Sequence, residues 1–219
     1  MADDTRLDFY FDPTCGWAWR TSIWMRRIAR EHGLVITWRP FSLAVMNSPD
    51  DWTKDSPGHV VGFPMERTLV LARRKAGNEA VNRLFVAYGN VFHGDMAREG
   101  FLDSAVQTRC LEAAGLTASW YDEAQADPST EAELISDTRA AADKPGVFGV
   151  PTIGFSDSDV VFFGPVINRV PEGQESAALW ESVRAALRQP CLFELKRTRT
   201  RESQYAPNQY ADQEAVVVR

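Results

Sequence analysis

Cysteine is scarce in this 219-residue sequence, which contains only Cys15, Cys110 and Cys191. Their number is odd, their spacings are wide, and no Cys-x-x-Cys pair occurs. These features argue against a disulfide framework and against a zinc site, because both need several closely spaced cysteines. Three isolated histidines add no metal-ligand spacing. We therefore expect reduced thiols, no metal and a cytoplasmic location.

Long apolar runs and an excess of basic residues are also absent. No stretch of roughly 18 consecutive apolar residues occurs, so a membrane span is not expected. The acidic, polar residues 1–6 do not resemble a signal peptide. The net charge of -6 argues against nucleic acid or an anionic membrane as a partner. No Gly-x-Gly-x-x-Gly follows the first predicted strand, which argues against a Rossmann site.

The first 41 residues contain the pattern of a strand, a helix and a second strand. Residues 7–11 are nearly all apolar, as in a strand that is buried on both faces. A helix is predicted from about Cys15 to Glu31, and Gly33 ends it. Residues 34–41 predict the next strand. The three segments therefore form a βαβ unit with two parallel strands.

The middle of the chain is predicted to be helical, and strands return near its end. Residues 47–63 are rich in Pro, Gly and Asp and predict a loop. A helix over 129–143 is expected to begin with Thr130 and Glu133 as a capping box. Strands at 152–155 and 160–163 flank a polar turn and predict a hairpin before a last helix.

Cys15 carries the strongest chemical signal, because it stands between the first strand and the first helix. The first turn of a helix offers free N–H groups and a positive dipole end, which favour a thiolate over a thiol. We therefore expect a lowered pKa for Cys15. Trp17 and Trp19 are predicted to form an apolar wall for a flat substrate. Ala18 stands three positions beyond Cys15, so no internal disulfide closes there.

The remaining candidate residues are given structural interpretations. Cys110 lies on an apolar helical stripe and Cys191 follows Pro190, so both are expected to pack. His93 is expected to bond free carbonyl groups at a helix end, and His59 is a weaker candidate for lining the site. The basic run over 196–201 is expected to be a solvated surface. The alternative is that it holds a carboxylate of a thiol cofactor.

Several motifs together resemble a known family. They lie at residues 11–19, 42–47, 88–93, 149–152, 162–166 and 193–200. Their order and spacing resemble the actinobacterial DsbA-like oxidoreductases, in particular the mycothiol-dependent reductase group that includes a nitroreductase. The resemblance implies an α/β thioredoxin-like fold with an inserted α-helical domain. The expected division is residues 1–62 and 146–200 for the thioredoxin-like domain, 63–145 for the helical insertion and 201–219 for a polar tail.

The same resemblance implies roles for individual residues. Cys15 would be the attacking cysteine, while Trp17 and Asn47 would line the substrate pocket. Pro151 would follow a cis peptide bond, and the Val150 backbone would pair with a bound thiol like an added strand. Ala18 replaces the second cysteine of the group's motif, and Gly16 replaces its proline. A dithiol cycle is therefore excluded at this motif, and the second thiol would be a small molecule, expected to be mycothiol.

Three functions remain open at this stage. The first is a thiol-dependent oxidoreductase that uses the single cysteine Cys15 on mixed disulfides or small electrophiles. The second is a thiol-dependent isomerase or transferase of the kappa-class or hydroxychromene carboxylate isomerase type, because those enzymes use a single active-site serine. The third is a non-catalytic ligand-binding protein. The oligomeric state is also open, with a homodimer as one option.

Overall fold

A mixed four-stranded sheet forms the centre of the protein. The structure is a computed structural model that describes residues 5–94, 98–144 and 146–200. The strands are β1 (Arg6–Phe11), β2 (Val35–Pro40), β3 (Thr152–Phe155) and β4 (Val161–Phe163). Their order is β2-β1-β3-β4. Strand β1 runs parallel to β2 and antiparallel to β3, and β3 pairs antiparallel with β4. The predicted parallel pair and the predicted hairpin are both confirmed.

Helix α1 (Gly16–His32) connects β1 to β2. It ends at Gly33, whose φ of 67° places it in the left-handed conformation that glycine adopts without steric cost. The indole nitrogen of Trp24 donates a hydrogen bond to Ser176 Oγ at 2.9 Å. Ser176 belongs to the last helix, at Gly173–Arg188, which the sequence predicted.

A helical segment separates β2 from β3. It contains α2 (Leu43–Asn47), α3 (Pro57–Val60), α4 (Gly62–Gly89), α5 (Ser104–Ala113), α6 (Trp120–Ala126) and α7 (Pro128–Ala142), and α8 (Gly173–Arg188) follows β4. Helix α4 is interrupted at Gly77 (φ 76°). The predicted loop over 47–63 is partly wrong, because α3 and a 3₁₀ turn at Trp52–Lys54 form within it. Pro57 suits the first position of α3, where no N–H is needed.

The start of α7 differs from the sequence expectation. Asp127 caps this helix, and its carboxylate accepts a hydrogen bond from the Ser129 N–H at 2.9 Å. Thr130 is buried one turn further on, where its hydroxyl donates to the Ala124 carbonyl at 2.8 Å. The predicted capping box is therefore wrong. A helix capped by Thr130 would begin at Glu131, whereas α7 begins at Pro128, a residue well suited to the first helical position.

An aromatic cluster joins the sheet to α4. The rings of Phe11 and Phe85 stack with centroids 3.8 Å apart, and Trp19 meets Phe85 edge to face. All three side chains are buried. Because aromatic side chains bury large apolar areas, this cluster is a main source of cohesion between the sheet and the helical segment.

The side chain of Asn78 covers part of the β2 edge of the sheet. Its oxygen accepts a hydrogen bond from the Trp38 N–H and its amide nitrogen donates to the Ile36 carbonyl, both at 2.7 Å. Asn78 thus forms the pair of bonds that a neighbouring strand would form. Among the described residues, no helix is both long and apolar enough to cross a membrane.

Candidate active site

Cys15 and Val150 meet at the centre of the candidate site, although 135 residues separate them in the chain. Cys15 occupies the cap position of α1, where its N–H donates to the Asp12 carbonyl at 3.0 Å. Its thiol lies 3.5 Å from the Val150 carbonyl oxygen and donates to it. The Val150–Pro151 peptide bond is cis. The structure therefore brings together three of the five residues that the sequence predicted for the site.

The pKa of Cys15 is raised to about 11, mainly because burial disfavours the thiolate. The N–H groups of Ala18 and Trp17 act in the opposite direction, as expected at a helix N-terminus. The charge of Asp12 adds to the rise, and Arg20 partly offsets it. The predicted lowering of this pKa is therefore wrong. The rise in pKa caused by burial is larger than the lowering caused by the helix N-terminus, so Cys15 is a protonated thiol at neutral pH.

The Val150 backbone offers a free hydrogen-bond donor beside the thiol. Among residues 5–94, 98–144 and 146–200, no acceptor pairs with the Val150 N–H. The neighbouring groups are paired, because the Pro151 carbonyl accepts from Gly164 N–H at 2.8 Å and Thr152 Oγ1 donates to the Gly149 carbonyl at 2.7 Å. A bound molecule with an acceptor can therefore pair with Val150 in the manner of an added strand.

One flank of the site carries Trp17 and two arginines. The guanidinium of Arg20 lies 4.3 Å from the centre of the Trp17 ring, and that of Arg199 lies 5.4 Å from it. Trp17 is half-buried, so part of its ring is available to a ligand. Trp19, by contrast, is buried against Phe85 and belongs to the core, so the predicted two-tryptophan wall is wrong.

A second surface, next to Gly149, is apolar, and the sequence did not predict it. We call it the apolar flank, and it consists of Leu43, Met46, Phe148 and Phe163. The space beside Gly149 is bordered by Met46, Leu43 and Phe163, whose nearest atoms lie 3.6–3.8 Å from the position of a Cβ. Phe148 is 68% exposed and its ring meets Phe163 edge to face. The signal that could have found it is Phe148 directly before the Gly-Val-Pro-Thr motif.

Asn47 belongs to a polar cluster at the end of α2. Its amide nitrogen lies 3.4 Å from Asp55 Oδ2 and 3.2 Å from His59 Nδ1. His59 Nδ1 lies 2.8 Å from the same carboxylate oxygen. These bonds join Asn47 to His59 and Asp55 rather than to Cys15. Met46, the preceding residue, reaches the apolar flank instead.

Two buried acids and a histidine support the segment that leads to Cys15. Asp12 accepts hydrogen bonds from the Thr14 N–H at 2.7 Å and the Leu43 N–H at 3.1 Å, and Glu66 is buried beside it. His93 Nε2 donates to the Pro13 carbonyl at 2.9 Å. Burial lowers the pKa of His93 to about 4, so this histidine is neutral at pH 7. His93 thus bonds the segment that carries Cys15, a contact that the sequence did not predict.

The other cysteines lie in unlike environments. Cys110 is buried as predicted, and burial raises the pKa of its thiol to about 12. Cys191 is exposed, so the prediction that it packs is wrong. Within the described part of the chain, no group of three or more His, Cys, Asp or Glu side chains is placed to hold a metal ion.

A cysteine at the start of the helix after β1, facing a cis-proline before β3, is the arrangement of a thioredoxin-fold protein. Solved structures agree. A 2-hydroxychromene-2-carboxylate isomerase matches with a TM-score of 0.56 and 17% identity, over 82% of this chain and 93% of its own. A probable DsbA oxidoreductase from Streptomyces coelicolor matches with a TM-score of 0.54 and 18% identity, over 89% and 94%. The predicted DsbA-like thioredoxin fold is confirmed.

Sequence comparison identifies the family within this class. The family model described as Rv2466c-like, mycothiol-dependent nitroreductase Rv2466c, matches residues 14–197. The chain therefore belongs to the Rv2466c-like family. A Mycobacterium tuberculosis relative, the uncharacterized protein Rv2286c, is 32% identical over 200 residues, which cover 90% of this chain and 83% of the relative. The predicted resemblance to an actinobacterial mycothiol-dependent group is confirmed.

Proposed function

We propose that this protein is a thiol-dependent oxidoreductase in which Cys15 is the single catalytic cysteine and mycothiol supplies the second thiol. The observation that carries the proposal is the contact of the Cys15 thiol with the Val150 carbonyl, beside the free Val150 N–H. Membership of a mycothiol-dependent family supports the choice of the small thiol. Ala18 is fully buried at the position of a resolving cysteine, so the resolving thiol comes from outside.

The proposed reaction is a pair of thiol–disulfide exchanges. The Cys15 thiol loses its proton to solvent, and the thiolate attacks one sulfur of a mixed disulfide. A new S–S bond to Cys15 forms while the old one breaks, and the other half leaves as a thiolate that takes up a proton. A second small thiol then attacks the adduct, releases Cys15 and carries the first sulfur away as a new disulfide. No net oxidant is consumed, because one disulfide replaces another.

The residues present suit a polar thiol such as mycothiol on the Trp17 flank. Buried Arg20 contributes positive charge beside the Trp17 ring. Exposed Arg199 and the Val150 N–H offer donors that a ligand can reach. Carbonyl and hydroxyl groups of such a thiol would accept from these donors. Asn47 stays a proposed binding residue that would act from the end of α2.

The apolar flank would receive the other half of the substrate. Phe148 and Phe163 are exposed next to Gly149, which precedes Val150, so an alkyl or aryl group would lose contact with water there. A nitro compound, the substrate class in the family's name, is one such electrophile. Its reduction to a nitroso compound oxidises two thiols to one disulfide and releases one water.

The test is intact-mass analysis after incubation with oxidised mycothiol. The proposal predicts one adduct on Cys15 that reduced mycothiol removes, and no adduct in a Cys15→Ser variant. Because Cys191 is exposed, the experiment is done in a Cys191→Ser background so that a second reactive thiol does not confuse the mass. Absence of an adduct on Cys15, with the variant folded, would overturn the redox function.

A thiol-dependent isomerase or transferase is the second candidate. The observation that favours it is the protonated Cys15 thiol, which donates a hydrogen bond as a serine hydroxyl would. In this function Cys15 would orient a bound thiol and would not attack. Cys15→Ser would then keep substantial turnover, whereas the redox function predicts that turnover is lost. A protein that only binds ligands would show no turnover in either form. The cytoplasmic location and the domain division stay predictions.

A further inference from the structure

Glu66 is a buried carboxyl group that the proposed reaction does not use. It lies on α4 one turn after Gly62, and its side chain has no exposure to solvent. Neither of its oxygens has a hydrogen-bond donor at good geometry among the described residues. Burying an ionised carboxylate without good hydrogen-bond donors is strongly unfavourable, so the charged form of Glu66 is disfavoured in this position.

The neighbour of Glu66 is Asp12, whose oxygens have several donors. Asp12 Oδ1 accepts from the Thr14 N–H at 2.7 Å and the Thr14 hydroxyl at 2.6 Å, while Oδ2 accepts from the Leu43 N–H at 3.1 Å. Charge on Asp12 is therefore stabilised by three donors. Charge on Glu66 is favoured only by the Ser42 hydroxyl, whose lowering of the Glu66 pKa is smaller than the rise caused by burial and by the charge of Asp12. Burial raises the pKa of both groups, and that of Glu66 is raised well above its usual range.

We infer that Glu66 is a neutral carboxylic acid in the working protein, that it donates its proton to the Asp12 carboxylate, and that this bond positions the segment carrying Cys15. Two ionised carboxylates have no hydrogen to share with each other. A proton on Glu66 supplies one, because a protonated carboxyl group has one O–H. The charge of Asp12 raises the pKa of Glu66, because two ionised carboxylates side by side in a buried site would repel each other.

The pair connects three parts of the fold around the cysteine. Asp12 holds Thr14 beside Cys15 and the first N–H of α2, while Glu66 belongs to the helical segment. A Cβ on Gly62 would lie 3.0 Å from Asp12 Oδ1, so the start of α4 closes tightly over the pair. Glu66 and Asp12 are thus positioning residues, and neither needs to touch the substrate.

The charge that remains on Asp12 also acts on the thiol. Asp12 raises the pKa of Cys15 while Arg20 lowers it, and Glu66 acts only through its bond to Asp12. Among the residues that the structure describes, these three and the thiol are the charged or titrating groups that the pKa shifts of Asp12, Glu66 and Cys15 involve. The location of the proton does not depend on the proposed function, whereas its importance for reactivity rests on Cys15 being the nucleophile.

The experiment combines infrared spectroscopy with alkylation of Cys15 in Glu66→Gln and Glu66→Ala variants, in the Cys191→Ser background. We expect a protonated-carboxyl C=O stretch at pH 7 in the parent protein that Glu66→Gln removes. Gln keeps a neutral donor for Asp12, so Glu66→Gln should leave the alkylation rate within about twofold of the parent. Glu66→Ala should change the rate by more, because Asp12 then loses that donor (a tenfold change corresponds to about 1.4 kcal/mol).

Two results would overturn the inference. One is absence of the C=O stretch in the folded parent protein. The other is a rate in Glu66→Gln that rises tenfold or more at pH 7, because this would show that an anion at Glu66 had been suppressing the thiolate. Infrared detection does not depend on catalysis, so failure of this inference and failure of the proposed function are distinguishable. If Glu66→Ala does not fold, the comparison of Glu66→Gln with the parent still decides the question.

Discussion

The ring of Trp19 lies directly over Gly89, where a Cβ would sit 2.2 Å from two of the ring carbons. Gly89 is the last residue of α4, and Trp19 is on the first turns of α1 behind Cys15. The contact brings α4 close to α1, because only the indole ring of Trp19 lies between the Gly89 backbone and α1. The absence of a side chain at position 89 is therefore a packing requirement.

Gly89→Ala should destabilise the protein. In a helix alanine is favoured over glycine by up to about 1 kcal/mol, but here the added methyl group overlaps the indole. Overpacking of this kind costs about 1–3 kcal/mol, so we expect a lower midpoint in urea denaturation. Gly58→Ala is the matched control, since nothing lies within 4 Å of the Cβ position in α3. Equal stability of the two variants would contradict the packing argument.

Alkylation of Cys15 should be slow at neutral pH and accelerate with rising pH. Because the pKa of Cys15 is about 11, almost all of this thiol is protonated at pH 7. We expect the iodoacetamide rate to increase about tenfold per pH unit up to at least pH 9, measured by peptide mass. Cys191 provides an internal comparison, because it is exposed. A plateau of the Cys15 rate below pH 8 would show that the helix N-terminus outweighs burial after all.

Phe148→Ser should weaken binding of substrates with an apolar group. Phe148 and Phe163 together offer an exposed aromatic surface next to Gly149. Loss of that contact should raise KM about tenfold for a mixed disulfide of mycothiol with benzyl thiol, which corresponds to about 1.4 kcal/mol. The mixed disulfide with mercaptoethanol should be little affected. Val160→Ser, at another exposed apolar side chain, is the control variant and should leave both substrates unchanged.

His93 should make the protein sensitive to acid. Its pKa is lowered from 6.5 to about 4 in the folded state, so the unfolded chain binds the proton more tightly. Its contribution is fully present above pH 6.5 and is lost as the pH falls towards 4, with a total of about 3 kcal/mol. His93→Gln, which retains a donor for the Pro13 carbonyl, should flatten the free energy of unfolding in this window. An unchanged slope would contradict the assignment.

Glu66 should have the opposite effect at higher pH. Its folded-state pKa lies above the unfolded value of 4.5, so its contribution is present below that pH and declines as the pH rises. Glu66→Gln should therefore gain stability relative to the parent as the pH increases, by at most about 1.4 kcal/mol per pH unit. Urea denaturation at pH 5, 7 and 9, each about two units apart, measures the difference. A constant difference would contradict a raised pKa.

The parts of the fold that depend on local pattern could be predicted from the sequence. The apolar run before Pro13 and the polar run between the last two strands determine β1 and the β3–β4 hairpin, and both were confirmed. The capping of α7 by Asp127 could have been predicted as well, because Asp-Pro is a typical helix start. Thr130 and Glu133 form a competing capping-box pattern three residues further along the chain.

The electrostatics of the site could not be predicted, because they depend on burial. A helix N-terminus is visible in the sequence around Cys15, but the cover that raises its pKa comes from segments far away in the chain. The raised pKa of Glu66 could not be predicted either, because it depends on burial and on Asp12, which lies 54 positions earlier in the sequence. Trp17 and Trp19 are two residues apart, yet Trp17 is only half-buried whereas Trp19 is packed in the core.

The side chain of Asn78 leaves the sheet with two unlike edges. By occupying the Trp38 N–H and the Ile36 carbonyl, it removes two of the groups through which another chain would continue the sheet at β2. Strand β4 forms the other edge and is only three residues long. Pairing of sheet edges between molecules is therefore disfavoured on both sides. Loss of the Asn78 side chain would expose the β2 edge and lower the solubility of the folded protein.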